Sequence, residues 1–221
     1  LSLWLSSLGA NVTGYSLEPN TEPSFYNECD IKSVTNSIFG NILDYKKLEA
    51  SIKKSKPEII IHMAAQALVL ESYKNPLDTY KTNVIGTKNM IRMQERLKFK
   101  MIFSSSSEIY GELPDGVPYV EEISKTHPLH HYNDYAMSKW VNEQQIKNSI
   151  EQNGTETMIL RFFNAYGPGE YYHSYRSVVC LFIYRALFDL PMTVYQGYHR
   201  VFQYVDDMIN TVGNSYNHFK S

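Results

Sequence analysis

Glu58-Ile-Ile-Ile-His-Met63, running on into Ala64-Ala65-Gln66, is the stretch on which the fold turns. A continuous apolar run of this length, without polar alternation, predicts a parallel strand buried on both faces. Pro57 separates it from a charged segment that Asp44 opens as N-cap and that continues to about residue 54. Leu48 and Ile52 fall on one face of that segment, the pattern of an amphipathic helix. Upstream, Asn11-Val-Thr-Gly-Tyr-Ser16 and Ser37-Ile-Phe-Gly40 read as short strands around a polar loop with Pro19 and Pro23. Downstream, a helix is expected over 77–97, then the buried strand Met101-Ile-Phe103, which ends in four serines, Ser104 to Ser107. A Pro- and Gly-bearing loop leads to Pro128, and a helix over 132–152 stops at Asn153-Gly154. Thr157-Met-Ile-Leu-Arg-Phe162 is a further strand. Strand and helix alternate with short links, which predicts an α/β protein: a doubly wound parallel sheet with helices on both faces.

In such a sheet ligands bind beyond the carboxyl ends of the strands. Three segments fall there: Ala64-Ala65-Gln66, Ser104 to Glu108, and Asn164 to Pro168. From residue 166 the composition shifts. Tyr166, Tyr171, Tyr172 and Tyr175 crowd together ahead of a helix over 177–190, strand-like pieces at 192–195 and 201–204, and a last helix. This predicts a main domain over 1–165 and part of a smaller substrate lobe over 166–221. At the other end the chain begins at Leu1 without Met, in an amphipathic helix that Gly9 stops. A domain rarely opens that way, so a preceding segment is expected.

The bulk numbers narrow the function classes. The chain has 221 residues, 43% hydrophobic and 20% charged, enough for a sizeable core. A net charge of −2 gives no basic field for nucleic acid. The two cysteines, Cys29 and Cys180, lie too far apart in sequence to read as a disulfide framework or zinc site, and a reducing cytoplasm is the expected home. No apolar run approaches the ~20 residues that cross a bilayer, so no membrane partner is expected. His127, His130 and His131 sit by Pro128 without helix-spaced partners, so no metal site is expected.

The chemistry-bearing pattern is Tyr135-Ala-Met-Ser-Lys139, a phenol and an ammonium four residues apart on one helix face. A free Tyr, with a pKa of about 10, is a poor base at neutral pH. A nearby ammonium favours the phenolate and is expected to lower that pKa, so that Tyr135 could accept a proton from a hydroxyl as hydride leaves the same carbon. Ser106, at the end of a buried strand, supplies a hydroxyl for the reacting alcohol, and Glu108 a carboxylate for a proton beside a ketone.

Together these residues resemble the extended short-chain dehydrogenase/reductase family, the NAD(P)-dependent nucleotide-sugar epimerases and dehydratases, across almost the whole chain. His62-Met-Ala-Ala-Gln66 resembles a cofactor loop, and Thr82-Asn-Val-Ile-Gly-Thr87 the Asn-Val-x-Gly-Thr helix motif. Ser105-Ser-Ser-Glu-Ile-Tyr-Gly111 resembles the catalytic segment, and Arg161-Phe-Phe-Asn-Ala-Tyr-Gly-Pro168 the Asn-x-Tyr-Gly-Pro motif. Arg200-Val-Phe-Gln-Tyr-Val-Asp-Asp207 resembles the segment whose Arg clamps a diphosphate. The first 90 or so residues are similar to CDP-glucose 4,6-dehydratases, notably Gly14-Tyr-Ser-Leu-Glu-Pro-Asn-Thr-Glu-Pro23. The Ser-Ser-Glu run is more similar to GDP-mannose 4,6-dehydratases and UDP-glucuronate decarboxylases. Two departures stand out. Ser107 replaces the Asp that dTDP-glucose 4,6-dehydratases use as a general acid, and the acid that in the family follows the second strand and holds the adenosine ribose is replaced near Ser16 and Leu17.

The resemblance implies a Rossmann-like fold whose first strand and Gly-rich loop precede Leu1, NAD or NADP as cofactor, and a nucleotide-diphosphate sugar as substrate. Asn41, Ile42, Ala64, Ala65, Gln66, Asn83, Tyr135 and Lys139 are then cofactor-binding. Ser106, Glu108, Tyr135 and Lys139 are catalytic, and Ser107, Asn164, Arg176 and Arg200 bind substrate. The implied reaction is oxidation at C4, removal of the C5 proton by Glu108 and loss of water from C6. A 4-epimerase needs no base at C5, a decarboxylase shares the Ser-Glu pattern, and a non-catalytic dinucleotide sensor tends to lose Tyr or Lys. The resemblance also implies a homodimer through the helices over 77–97 and 132–152.

Overall fold

The computed structural model describes residues 1–172, 176–197 and 200–219; Tyr175 of the aromatic run lies outside them. The chain divides into two compact units, Leu1–Leu160 and Arg161–Ser221. In the first, helix α1 (Ser2–Ser7) ends at Gly9, whose φ of +84° suits a residue without a side chain. Strand β1 (Thr13–Ser16) pairs in parallel with β2 (Asn36–Phe39), Thr13 opposite Asn36 and Ser16 opposite Phe39. Two short helices, α2 (Phe25–Glu28) and α3 (Ile31–Val34), lie between them where the sequence predicted only a polar loop. Ser24 starts α2 by accepting from the Asn27 N–H at 3.2 Å. Asp44 caps α4 (Tyr45–Ser55) in the same way from Lys47, and Leu48 and Ile52 are buried as their spacing predicts.

A second ladder runs β3 (Ile59–His62), β4 (Lys100–Ser106) and β5 (Thr157–Phe162), which leads out of the first unit. β3 and β4 are parallel, with Ile59 opposite Lys100 and His62 opposite Phe103. Of β3 only His62 is buried, a correction to the expectation of a strand covered on both faces. Its ladder explains this: β3 is an edge strand, paired on one side by β4. β4 is the fully buried strand, with Met101, Ile102 and Phe103 at 1% exposure or less. It also runs further than expected, taking in Ser104 to Ser106.

The connection from β3 to β4 was expected to hold one helix over 77–97. It holds α5 (Val69–Lys74), α6 (Pro76–Tyr80), one π-helical turn (Lys81–Ile85) and α7 (Gly86–Leu97). Pro76 opens a new helix because its missing N–H costs nothing in a first turn. Gly86 lets α7 close on Ile42, whose side chain a β-carbon would strike. From β4 the chain passes through two 3-10 turns, Ser107–Tyr110 and Ile123–Lys125, to α8 (Asp134–Asn153), capped by Asn133 and ended by Gly154 at φ +61°. Ile42, Leu48, Ile52, Met90, Ile91, Met93, Met101, Phe103 and Ile146 form one core. Truncating Phe103 to Ala there costs about 3–5 kcal/mol.

In the second unit β6 (Asn164–Tyr166) pairs in parallel with β7 (Phe202–Tyr204). α9 (Val178–Leu187) starts at Ser177, and α10 (Val205–His218) buries Val212 and Ser215. The strand expected over 192–195 is absent: those residues are irregular, following Pro191. No helix among the described residues is long and apolar enough to cross a membrane.

Candidate active site

β4 carries its serines to the carboxyl end of the ladder, where the first 3-10 turn begins. Ser106 starts that turn: its Oγ accepts from the Glu108 N–H at 3.2 Å. Glu108 is thereby fixed two residues beyond Ser106, half-buried. Gly111, at φ +63°, closes the turn against the backbone of His130, with no room for a β-carbon.

Helix α8 presents Tyr135 and Lys139 on one face, at 9% and 3% exposure. Ser106 lies close enough to act on the Tyr135 phenol, so the two groups meant to share one alcohol oxygen are neighbours. Burial pushes the phenol above its ordinary value; the Ser106 hydroxyl acts the other way, and the charge of Glu108 adds to the rise. This corrects the expectation that Lys139 lowers Tyr135. The ammonium donates to the Ser104 carbonyl at 2.6 Å and stands 5.8 Å from the Tyr135 ring centre, so desolvation of the phenol prevails. Burial lowers Lys139 itself to about 8.

The loop after β3 is held by a buried polar network. Asn83, in the π turn, accepts from the Gln66 N–H at 2.8 Å and donates to the Gln66 carbonyl at 3.0 Å and to Ser138 Oγ at 2.9 Å. Ser138 donates to the Tyr135 carbonyl, and Asn142 to the Asn83 carbonyl. Gln66 also reaches Thr79 on α6 at 2.9 Å. Asn83 is therefore a brace between the Ala64-Ala65-Gln66 loop and α8. The extra residue of the π turn carries its side chain there, a distortion frequent at functional sites. At the end of β2, Asn41 is exposed and its carbonyl accepts from Tyr15, whereas Ile42 is packed in the core.

Ser106, Glu108, Tyr135 and Lys139 thus gather in the first unit, with Ser107 half-buried beside them in the turn. Asn164, Arg176 and Arg200 belong to the second unit. Asn164 is tied to the Val201 carbonyl at 3.1 Å, and Arg176 and Arg200 are exposed. The sequence reading gave no role of its own to Ser105 on β4 or to Ser138, Asn142 and Glu143 on α8, all buried around the pair. For the three on α8 the available signal was their helical spacing from Tyr135, a polar stripe where hydrophobic periodicity looks for an apolar one. No group of three metal-binding side chains occurs among the described residues.

A family model described as the NAD dependent epimerase/dehydratase family matches residues 4–218. The CDP-glucose 4,6-dehydratase of Salmonella typhimurium is 34% identical over 181 residues, 77% of this chain and 50% of its own length. UDP-glucuronic acid decarboxylase 1 of Xenopus tropicalis is 36% identical, covering 68% of this chain and 36% of its own. The chain spans about half or less of the length of these relatives. Among solved structures, UDP-glucose 4-epimerase of Thermotoga maritima with UDP-glucose superposes on 94% of this chain and 65% of its own, with TM-score 0.83 and 25% identity.

Proposed function

The chain belongs to the NAD-dependent epimerase/dehydratase family, and from that premise we propose that it acts as a nucleotide-sugar 4,6-dehydratase. One observation carries the reading: the Ser106 hydroxyl, the Tyr135 phenol on which it acts, and the Glu108 charge that acts on the same phenol lie together at the end of β4. Ser106 and Tyr135 hold the sugar 4-hydroxyl, and Tyr135 accepts its proton. A bound nicotinamide would supply the acceptor for the C4 hydride and the donor of hydride to C6. The resulting 4-ketone acidifies the C5 proton; Glu108 takes that proton and passes it to the departing 6-hydroxyl, which leaves as water, and solvent returns a proton to C5 by way of Glu108 as C6 receives hydride. Ser107, Asn164, Arg176 and Arg200 bind the nucleotide sugar, Arg suiting bidentate contacts to phosphate.

The residues fit a dinucleotide. Lys139 is an ammonium at 3% exposure whose one oxygen partner among the described residues is the Ser104 carbonyl, which leaves donors for a ribose hydroxyl. Asn41, Ile42, Ala64, Ala65 and Gln66, the last of them fastened by Asn83, take the remainder. NAD is favoured over NADP. From Thr13 to Ile31 the chain has no Lys or Arg to meet a 2′-phosphate, and it carries Glu18, Glu22, Glu28 and Asp30. We also infer a homodimer through α6, the π turn and α8, where Leu77, Ile85 and Met137 stand exposed.

The test is incubation of the protein and NAD with CDP-, GDP-, dTDP- and UDP-hexoses. A 4-keto-6-deoxy product from one of them is expected. An epimer at C4, or carbon dioxide from a uronic acid without any dehydration, would overturn the reading.

A further inference from the structure

Glu143 is wholly buried on α8, two turns beyond Tyr135, and the dehydration chemistry gives it no part. Its Oε1 accepts from Ser105 Oγ at 2.6 Å, a charge-assisted length. Lys147 Nζ reaches only 4.0 Å from the other oxygen, from a half-exposed position. A buried carboxylate is costly unless hydrogen-bonded, so the interior holds the Ser105 contact firmly. Two rungs of α8 thus grip β4, and a third lies beside it. Lys139 donates to the Ser104 carbonyl at 2.6 Å, Glu143 accepts from Ser105, and Tyr135 is the neighbour of Ser106.

The helix does not need Glu143 to stay docked. Asn83 bonds Ser138 and receives Asn142, Ile146 lies in the core, and Glu95 holds Ser149 and Asn153 at the far end. What Glu143 alone adds is a hold on the residue immediately before the catalytic serine. We propose that Glu143 is a positioning residue: through Ser105 it fixes the end of β4, so that the Ser106 hydroxyl stays on the oxygen that Tyr135 deprotonates. This rests on the assignment of Ser106 and Tyr135 to C4 oxidation.

The test compares Ser105→Ala, Glu143→Ala, the double variant and Glu143→Gln in the full chain, by nicotinamide reduction on the productive sugar and by amide hydrogen exchange over 104–110. Each single truncation is expected to lower kcat about 10- to 100-fold, with KM within about twofold. The double variant loses no more than either alone, because the two act as one unit. Glu143→Gln, which can still accept from Ser105, recovers most of the rate. Glu95→Ala, which loosens the far end of the same helix, leaves kcat unchanged. Additive losses, a raised KM with kcat retained, or an equal loss in Glu95→Ala would refute the role. Exchange quickens over 104–110 in each truncation; unchanged exchange refutes the hold itself. Should Ser105→Ala fail to fold because it strands the carboxylate, the double variant read against Glu143→Ala decides. Should no sugar be oxidised by the unaltered protein, the catalytic assignment fails, while exchange still decides whether Glu143 holds the segment.

Discussion

Tyr135 and Lys139 are both buried, and burial acts against the charged form of each. Tyr135→Phe removes the proton acceptor and is expected to cost about 10²- to 10⁴-fold in C4 oxidation, read as nicotinamide reduction, with the fold intact. Lys139 carries the opposite balance between stability and function. Its folded value of about 8 lies below the ordinary 10.5, so between the two the unfolded chain binds more protons and stability rises with pH. Lys139→Met is therefore expected to be inactive yet more stable at neutral pH, with a flatter alkaline stability profile in urea unfolding. His62 obeys the same sign at lower pH. Burial, and then the Lys139 charge, hold it at about 3 instead of 6.5, and its Nε2 pairs with Thr87 Oγ1 at 2.9 Å. The native state loses stability to it as pH falls from 6.5 towards 3. His62→Gln should lose less over that window, and an unchanged profile would show that His62 does not titrate as described. The sequence made Ser106, Glu108, Tyr135 and Lys139 legible because their spacing is a chemical pattern. It did not disclose the upward shift of Tyr135, because desolvation depends on what packs around the phenol.

The elements that position those residues were legible in proportion to their length. α4 and α8 were read nearly to their ends because Asp44 and Asn153-Gly154 are local signals. β7 was legible as the strand-like piece at 201–204, whereas its three-residue partner β6 comes from pairing, which a linear reading does not see. The π turn before α7 was hidden too, since one inserted residue leaves the apolar pattern on either side intact. Its consequence is testable. Asn83→Ala strands both backbone groups of Gln66 and the Ser138 hydroxyl, and is expected to cost on the order of 2–3 kcal/mol in unfolding free energy. Stability equal to the unaltered protein would mean that the brace is not needed. The buried stripe of α8, with Ser138, Lys139, Asn142, Glu143 and Ser149, is mostly polar, which is why a search for apolar spacing passed over it. At β1 the absence of cations predicts at least about tenfold tighter binding of NAD than of NADP, one lost charge-assisted contact being worth that much. Equal affinities in calorimetry would contradict it.

For the whole molecule, the α/β class followed from alternation alone, and the composition shift at residue 166 led to an expected boundary at 165/166, where packing sets the units at Leu1–Leu160 and Arg161–Ser221. Exposed Leu77, at 73%, is the apolar position from which association can be tested. Leu77→Glu places a charge there and is expected to give half the mass of the unaltered protein in light scattering, and an unchanged dimer would move the interface elsewhere. The central claim concerns three side chains of one unit acting in turn: Ser106 holds and Tyr135 deprotonates the 4-hydroxyl as a bound nicotinamide would accept the C4 hydride, and Glu108 takes the C5 proton. It is tested most directly by running the reaction in deuterated water with the unaltered protein and with Glu108→Gln. Deuterium is expected at C5 of the product from the unaltered protein, while Glu108→Gln should reduce the nicotinamide yet incorporate none. Exchange at C5 that persists in Glu108→Gln would contradict the account.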